Sequence, residues 1–229
     1  MPNAIITGAS RGLGLALART LAADGWRLTI DARTAGELER AARELGRSTE
    51  VVALAGDVAD PAHRQALVTA AGDPIDLLVN NASLLGPSPQ PPLATYPLDV
   101  LERVYAVNVL APLALTQLVL PRATRDATII NISSDAAVEA YPGWGGYGSA
   151  KAALDHVSAT LAAEHPDIHV YAADPGDMRT RMHQEAFPGE DISDRPLPES
   201  AVPGLLALVR GEHPSGRSRV PGATPAGVA

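Results

Sequence analysis

Short apolar runs alternate with longer helical patterns almost from one end of this 229-residue chain to the other. Six runs read as strands: Ala4–Thr7, Arg27–Ala32, Glu50–Ala55, Ile75–Val79, Thr128–Ile132 and Ile168–Ala172, with a weaker seventh near Arg217–Val220. Several are apolar at successive positions rather than at every second one, the pattern of parallel strands covered on both faces. Between them, Leu13–Ala23, Glu37–Leu45, Ala62–Ala71, Leu98–Leu120, Tyr147–Ala163 and Ser200–Val209 carry helical spacing. That alternation predicts an α/β fold, a doubly wound, Rossmann-type and mostly parallel sheet of seven strands with helices on both faces. No composition break interrupts it, so one domain is expected over 1–229. Two irregular segments are long, the proline-rich Ser83–Pro97 and Asp174–Pro198, and the Pro/Gly/Ala-rich tail 221–229 is expected to fray.

The stretch Leu98–Leu120 is unusual. Beyond Arg103 it is apolar nearly all round, broken mainly by Asn108, Thr116 and Gln117, so it should be buried on more than one side. Either it lies between the sheet and its own neighbours, or its outer face meets a second subunit; a homodimer is the expected assembly, a homotetramer the next. Pro112 follows Asn108 by four residues. It has no N–H, so the Asn108 carbonyl loses its regular helical partner and needs another.

Charge and composition then narrow the function. A net charge of −8 with scattered arginines excludes a nucleic-acid partner, which needs a basic face. No run is expected to reach the roughly 18 apolar residues of a membrane span, and the chain opens on a strand pattern with no charged leader, so a cytoplasmic protein is expected. The absence of cysteine excludes disulfides, thiolate catalysis and thiolate-bound metals. His63, His156, His165, His169, His183 and His213 form no metal-ligand spacing; no metal is expected, and most should sit on the surface.

Directly after the first strand comes Thr7-Gly8-Ala9-Ser10-Arg11-Gly12-Leu13-Gly14, which opens a helix. Glycines there let backbone approach a pyrophosphate, and the helix start supplies free N–H groups and partial positive charge. The spacing is wider than the common dinucleotide fingerprint and fits TGxxxGxG.

With that motif and those that follow it in order, the chain resembles the short-chain dehydrogenase/reductase family, in its shorter single-domain type, from Ala4 to about Val220. Asp57-Val58 follows the third strand, where the family contacts adenine. Asn80-Asn81-Ala82-Ser83 matches the family's NNAG, with Ser83 in place of glycine, a departure bearing on local turn geometry. Pro175-Gly176, with Met178 and Thr180, resembles the segment that holds the nicotinamide carboxamide. Asn108, Ser134, Tyr147 and Lys151 match the catalytic set. The resemblance therefore implies an oxidoreductase interconverting a small carbonyl or alcohol substrate, with Gly8, Ser10, Arg11, Gly12, Leu13, Gly14, Arg33, Asp57, Val58, Asn80, Ala82, Tyr147, Lys151, Pro175, Gly176, Met178 and Thr180 around the cofactor. It also suggests that a water joins Asn108 to Lys151 in a proton relay.

Cofactor choice is decided at the end of the second strand, where an acidic residue would bind ribose hydroxyls. Alignment on Gly25-Trp26-Arg27 puts Ala32 there, followed by Arg33. Asp31 lies one residue early, and one step along a strand turns a side chain to the other face. Arg33 and Arg11 would neutralise a 2′-phosphate, so NADP(H) is expected.

Tyr147 and Lys151 are four apart at a helix start and share a face. A tyrosine near pKa 10 is a poor base at neutral pH; a lysine ammonium and an oxidised nicotinamide beside it would favour the phenolate. In reduction Tyr147 would donate its proton to the developing alkoxide, and Ser134 would hold the substrate oxygen. Trp144, three residues before Tyr147, with Phe187 and His183 from the expected lid over 182–198, would form a pocket for a flat or apolar carbonyl, or Trp144 merely packs its loop. Gly143-Trp144 before Tyr147 also resembles the sepiapterin reductase and diketone reductase branch. The alternatives are an NAD(H)-preferring relative, a non-catalytic NADP-binding regulator, which would lose Tyr, Ser or Lys, and an epimerase, which generally needs a larger substrate portion.

Overall fold

The computed structural model describes residues 1–220; the tail expected to fray, 221–229, lies outside the described residues. Seven strands run in the sequence β1 (Asn3–Ile6), β2 (Arg27–Ala32), β3 (Val51–Ala55), β4 (Ile75–Asn80), β5 (Ala123–Ile132), β6 (His169–Asp174) and β7 (Gly216–Arg219). All pair in parallel, in the order β3-β2-β1-β4-β5-β6-β7. The chain winds outward from β1 to one edge, then returns to β4 and winds to the other. The reversal opens a crevice beyond the carboxyl ends of β1 and β4, where ligands bind in open α/β sheets.

Helices α1 (Gly12–Ala23), α2 (Ala35–Leu45), α3 (Pro61–Ala71), α4 (Leu98–Tyr105), α5 (Ala111–Val119), α6 (Gly145–Glu164), α7 (Arg181–Ala186) and α8 (Val202–Val209) connect them. The apolar residues divide between the two sheet faces. Ile6, Leu28, Ile30 and Val79 pack with Leu17 and Leu21 of α1 and Leu205 of α8. Ile5, Leu78, Ile129 and Val170 pack with Val68 of α3, Leu115 of α5 and Leu161 of α6. Neighbours such as Ile5 and Ile6 point to opposite faces, which is why β1 is apolar at both positions. The start of α3 is set locally: the Asp60 carboxylate accepts from Ala62 N–H at 2.9 Å and Pro61 occupies the first turn.

Three expectations are corrected. The long helix is not continuous α-helix, because Ala106–Leu110 is a π turn in which Ala111 N–H donates to Ala106 O, five residues back. Pro112 cannot donate to the Asn108 carbonyl, so the regular ladder cannot pass that point and the wider turn absorbs the break. Second, the helical run Leu98–Arg122 has 25 residues and mean hydropathy 1.6 in its most apolar window, which meets the length of a membrane span. Half of that window is nevertheless buried inside the fold. Third, β5 starts at Ala123, five residues before the expected Thr128. Its pairing with β4 jumps from Ile75↔Ala123 to Leu77↔Thr128, with Asp126 at φ +67° inside the irregularity. The polar segment Thr124-Arg125-Asp126 has no alternating pattern to reveal it.

Candidate active site

The glycine turn leaves β1 and enters α1. Gly8 (φ +66°) and Gly12 (φ +57°) occupy left-handed conformations, and a Cβ on Gly14 would lie 2.5 Å from Asn81 Nδ2 and 2.8 Å from Gly8 O. Side chains at these positions would strain or fill the cradle. Asn81 laces it to β4: its Nδ2 donates to Thr7 O at 2.8 Å and Gly8 O at 3.1 Å, while Thr7 Oγ1 accepts from the Asn81 and Ala82 N–H groups at 3.0 Å each. Arg11 precedes α1 without capping it through its side chain, which leaves early helix N–H groups available to an anion. This turn fits a dinucleotide pyrophosphate.

A cleft of about 580 Å³ runs from this turn across the carboxyl ends of the strands to α7. It brings together the sequence-derived site residues except Gly14, Asn80, Asn108 and Phe187. Gly14 packs beneath the turn. Asn80 turns into the interior, donating to Asn131 Oδ1 at 2.8 Å, so its neighbour Asn81 is the asparagine facing the cleft. The Asn108 side chain clamps the backbone of Leu84, accepting from its N–H at 2.8 Å and donating to its carbonyl at 2.9 Å. Phe187 stands behind Trp144 and His183, with ring centroids 5.7 and 4.9 Å away.

Tyr147 and Lys151 are buried on one face of α6. Lys151 Nζ donates to Ile132 O at 2.7 Å and stands 5.4 Å from the centre of the Tyr147 ring. Burial lowers the lysine to about 8, against an opposing pull from Asp155. Burial also pushes the Tyr147 phenol well above its ordinary value; the Ser83 hydroxyl draws it down, and the Asp135 and Asp174 carboxylates push it further up. Burial is the largest of these influences, and the phenol is held in its proton-donor form.

Ser134, at the end of β5, donates from Oγ to Asp135 Oδ1 at 2.9 Å and accepts from Ala136 N–H at 3.2 Å. Ser133, its neighbour in the chain, is committed elsewhere: its hydroxyl donates to Asp155 and accepts from Arg217. Of these two neighbouring serines, Ser134 is the one whose hydroxyl can turn toward a ligand.

At the end of β2, Asp31 is 1% exposed. One carboxylate oxygen accepts from Gly8 N–H at 2.7 Å and the other lies 3.0 Å from His63 Nε2. The sequence pattern placed most histidines on the surface; His63 is buried because it faces this carboxylate. Arg33 is exposed at the cleft, and Arg11 Nη1 reaches Glu37 at 2.9 Å across an open surface.

The far wall is aromatic, with the Trp144 ring edge-on to Tyr147 at 5.9 Å. In α7, capped by Thr180 Oγ1 accepting from His183 N–H, burial lowers the pKa of His183, with Asp177 opposing. Ser88 Oγ donates to Glu185 O at 2.6 Å, joining the proline-rich segment to α7.

Sequence reasoning undervalued Ser83 and missed Arg217. Ser83 does more than shape a turn: its Oγ donates to Asn108 Oδ1 at 3.2 Å and stands beside Tyr147. Its departure from the motif's glycine was the available signal. Arg217 carried none, because its partners are far away in the chain.

Comparison with known proteins agrees with this geometry. A family model described as short chain dehydrogenase matches residues 2–191. The chain is 36% identical to sepiapterin reductase of Mus musculus, over 80% of this chain and 76% of the relative. It is 33% identical to benzil reductase ((S)-benzoin forming) of Saccharomyces cerevisiae, over 88% of this chain and 79% of that one. Among solved structures, a short chain dehydrogenase from Shigella flexneri complexed with NADP superposes with a TM-score of 0.86 at 27% identity, covering 95% of each chain.

Proposed function

We propose, from the premise that this chain belongs to the short-chain dehydrogenase/reductase family of oxidoreductases, that it is an NADP(H)-dependent enzyme interconverting a carbonyl and an alcohol. The observation that carries the reading is the buried Tyr147–Lys151 pair facing the same cleft as Ser134 and the glycine turn. The nicotinamide cofactor, when bound, supplies or accepts the hydride. The glycine turn would hold its pyrophosphate and the Pro175–Thr180 segment its nicotinamide end.

In reduction the Ser134 hydroxyl turns from Asp135 to the substrate oxygen and stabilises the charge growing there. Tyr147, kept protonated by burial, gives its proton to that oxygen. Lys151 then favours the resulting phenolate and is the route for its reprotonation. The Asn108 side chain is occupied by Leu84, so in the proposed relay its backbone carbonyl, freed by Pro112, is the group that takes the water.

The lysine sets a pH limit. Lys151 is charged below about 8 and loses its proton above it, so kcat/KM for reduction is expected to fall as pH rises through that value. In Lys151→Arg the charge persists, because arginine stays protonated, and the fall should move upward. A wild-type profile level through this range would contradict the assigned role.

NADP(H) over NAD(H) is supported by the Asp31 contacts, which occupy both carboxylate oxygens on Gly8 and His63, and by Arg33 beside the cleft. The NADP complex of the Shigella flexneri relative agrees with it. For substrate we infer a compact carbonyl with an aromatic or conjugated flank, received by the Trp144 wall. Loss of NADPH absorbance across vicinal diketones, pterins, quinones and ketosteroids tests this; turnover of aromatic diketones above simple aliphatic ketones is expected, and the reverse ranking would refute it.

We further infer a homodimer. Leu98 and Leu110, on the run that includes α4 and the π turn, are 71% and 59% exposed, and only half of the most apolar window of that run is buried inside the fold. Sedimentation at micromolar concentration should give a dimer or larger; a clean monomer refutes it.

A further inference from the structure

At the carboxyl ends of β5 and β6 one guanidinium joins three elements of the site without entering the cleft. Arg217, on the edge strand β7, donates from Nη1 to Ser133 Oγ at 3.2 Å and pairs with Asp155 of α6. Its Nη2 donates to Ser134 O at 3.1 Å and to Asp174 Oδ2 at 2.8 Å. The second oxygens of both carboxylates are also used. Asp155 Oδ1 accepts the Ser133 hydroxyl, and Asp174 Oδ1 accepts Gly176 N–H at 3.0 Å. Side-chain exposures of 14% for Asp155 and 5% for Asp174 place both carboxylates largely out of water.

We infer that Arg217 is the positioning residue that fixes Ser134, α6 and the Pro175–Gly176 loop relative to one another. This rests on reading Ser134 and Tyr147 as the reacting pair. Asp155 lies one turn beyond Lys151 on α6, so it shares the face that carries Tyr147 and Lys151. Asp174 ends β6 and holds the first N–H of the loop assigned to the nicotinamide. The planar fork of arginine reaches all three elements at once, which the single ammonium of lysine cannot. Backbone pairing alone does not account for the arrangement. β7 is already held to β6 by its ladder and by Val220 N–H donating to Asp174 O at 2.9 Å, and a strand needs no buried-carboxylate fork to stay in place. Removing the guanidinium leaves two buried carboxylates without their shared cation, and each must find water or a proton. The segments they anchor then lose their common reference.

The test compares Arg217→Met, Arg217→Lys and Arg217→Ala with wild type, using NADPH and the best carbonyl of the panel above. Misplacement of reacting groups by about 1 Å costs roughly 100-fold, so kcat in Arg217→Met should fall about 10- to 100-fold. The NADPH dissociation constant, set mainly at the glycine turn, should stay within about threefold. Arg217→Lys keeps the charge and guards against failure to fold; it should still lose most of the kcat. Arg217→Ala should regain turnover on addition of millimolar guanidinium chloride and not with urea at the same concentration. Wild-type kcat in the Lys and Met variants would overturn the inference. So would a kcat loss matched by loss of NADPH binding with no guanidinium rescue, the signature of a purely structural role. Tyr147→Phe separates the two levels. If it keeps turnover, the catalytic reading itself fails; if it is inactive while the Arg217 variants are fully active, only the role of Arg217 fails.

Discussion

Tyr147→Phe is expected to cut carbonyl reduction by about 10²- to 10⁴-fold, the usual contribution of a positioned acid, while NADPH binding stays close to wild type. The phenol is buried to 8% exposure and its ring lies edge-on to Trp144. Phenylalanine preserves that packing and removes only the proton. Burial holds the hydroxyl as a donor, so no other group in the cleft is as well prepared to protonate an alkoxide. Lys151 is directed at the Ile132 carbonyl and has no direct path that bypasses the tyrosine. Steady-state rates beside a fluorescence titration of NADPH check both halves of the expectation. Substantial turnover in the mutant sinks the proposed mechanism.

The second large effect concerns cofactor choice. Arg11 and Arg33 both border the cleft, and each would offer the 2′-phosphate a charge-assisted hydrogen bond of about 1.5–3 kcal/mol before screening. Solvent reduces that, and so does Glu37, which already holds Arg11; exposed pairs of this kind are worth only about 0.2–1 kcal/mol. A ten- to thousand-fold preference for NADPH over NADH is the expected rough range, at about 1.4 kcal/mol per decade. Ala32→Asp with Arg33→Ile should reverse it by setting a carboxylate against the phosphate and toward the ribose hydroxyls. kcat/KM with each cofactor, in both proteins, is the measurement. Wild-type preference for NADH would mean that Asp31 faces the ribose despite its bonds to Gly8 and His63.

The parts of this protein that were legible in its sequence are those whose causes are local. Continuous apolar runs such as Ala4-Ile5-Ile6 announce strands covered on both faces, and the glycines of 8–14 mark a turn that few other residues could make. Tyr147 and Lys151 share a face by helical spacing alone. What escaped depends on distant partners. Arg217 meets residues 43, 62, 83 and 84 positions away, and its own segment showed only a faint strand. The π turn at 106–110 follows from Pro112, which predicted an unpartnered carbonyl but not how the helix would accommodate it. Asp31 was ambiguous by one residue until its contacts with Gly8 and His63 fixed its direction. Ser83 looked like a turn substitution because nothing nearby in sequence reveals that it touches Asn108 and Tyr147.

The most direct test of the central claim is isotope transfer from cofactor to substrate carbon. NADPH deuterated at nicotinamide C4, supplied as each of its two epimers, is incubated with the protein and the best carbonyl substrate, and the product is read by mass spectrometry. The account predicts one deuterium on the carbinol carbon from one epimer, none from the other, and loss of both product and label in Tyr147→Phe. An alcohol formed without label from either epimer, or no NADPH consumed with any carbonyl of the panel, would contradict it.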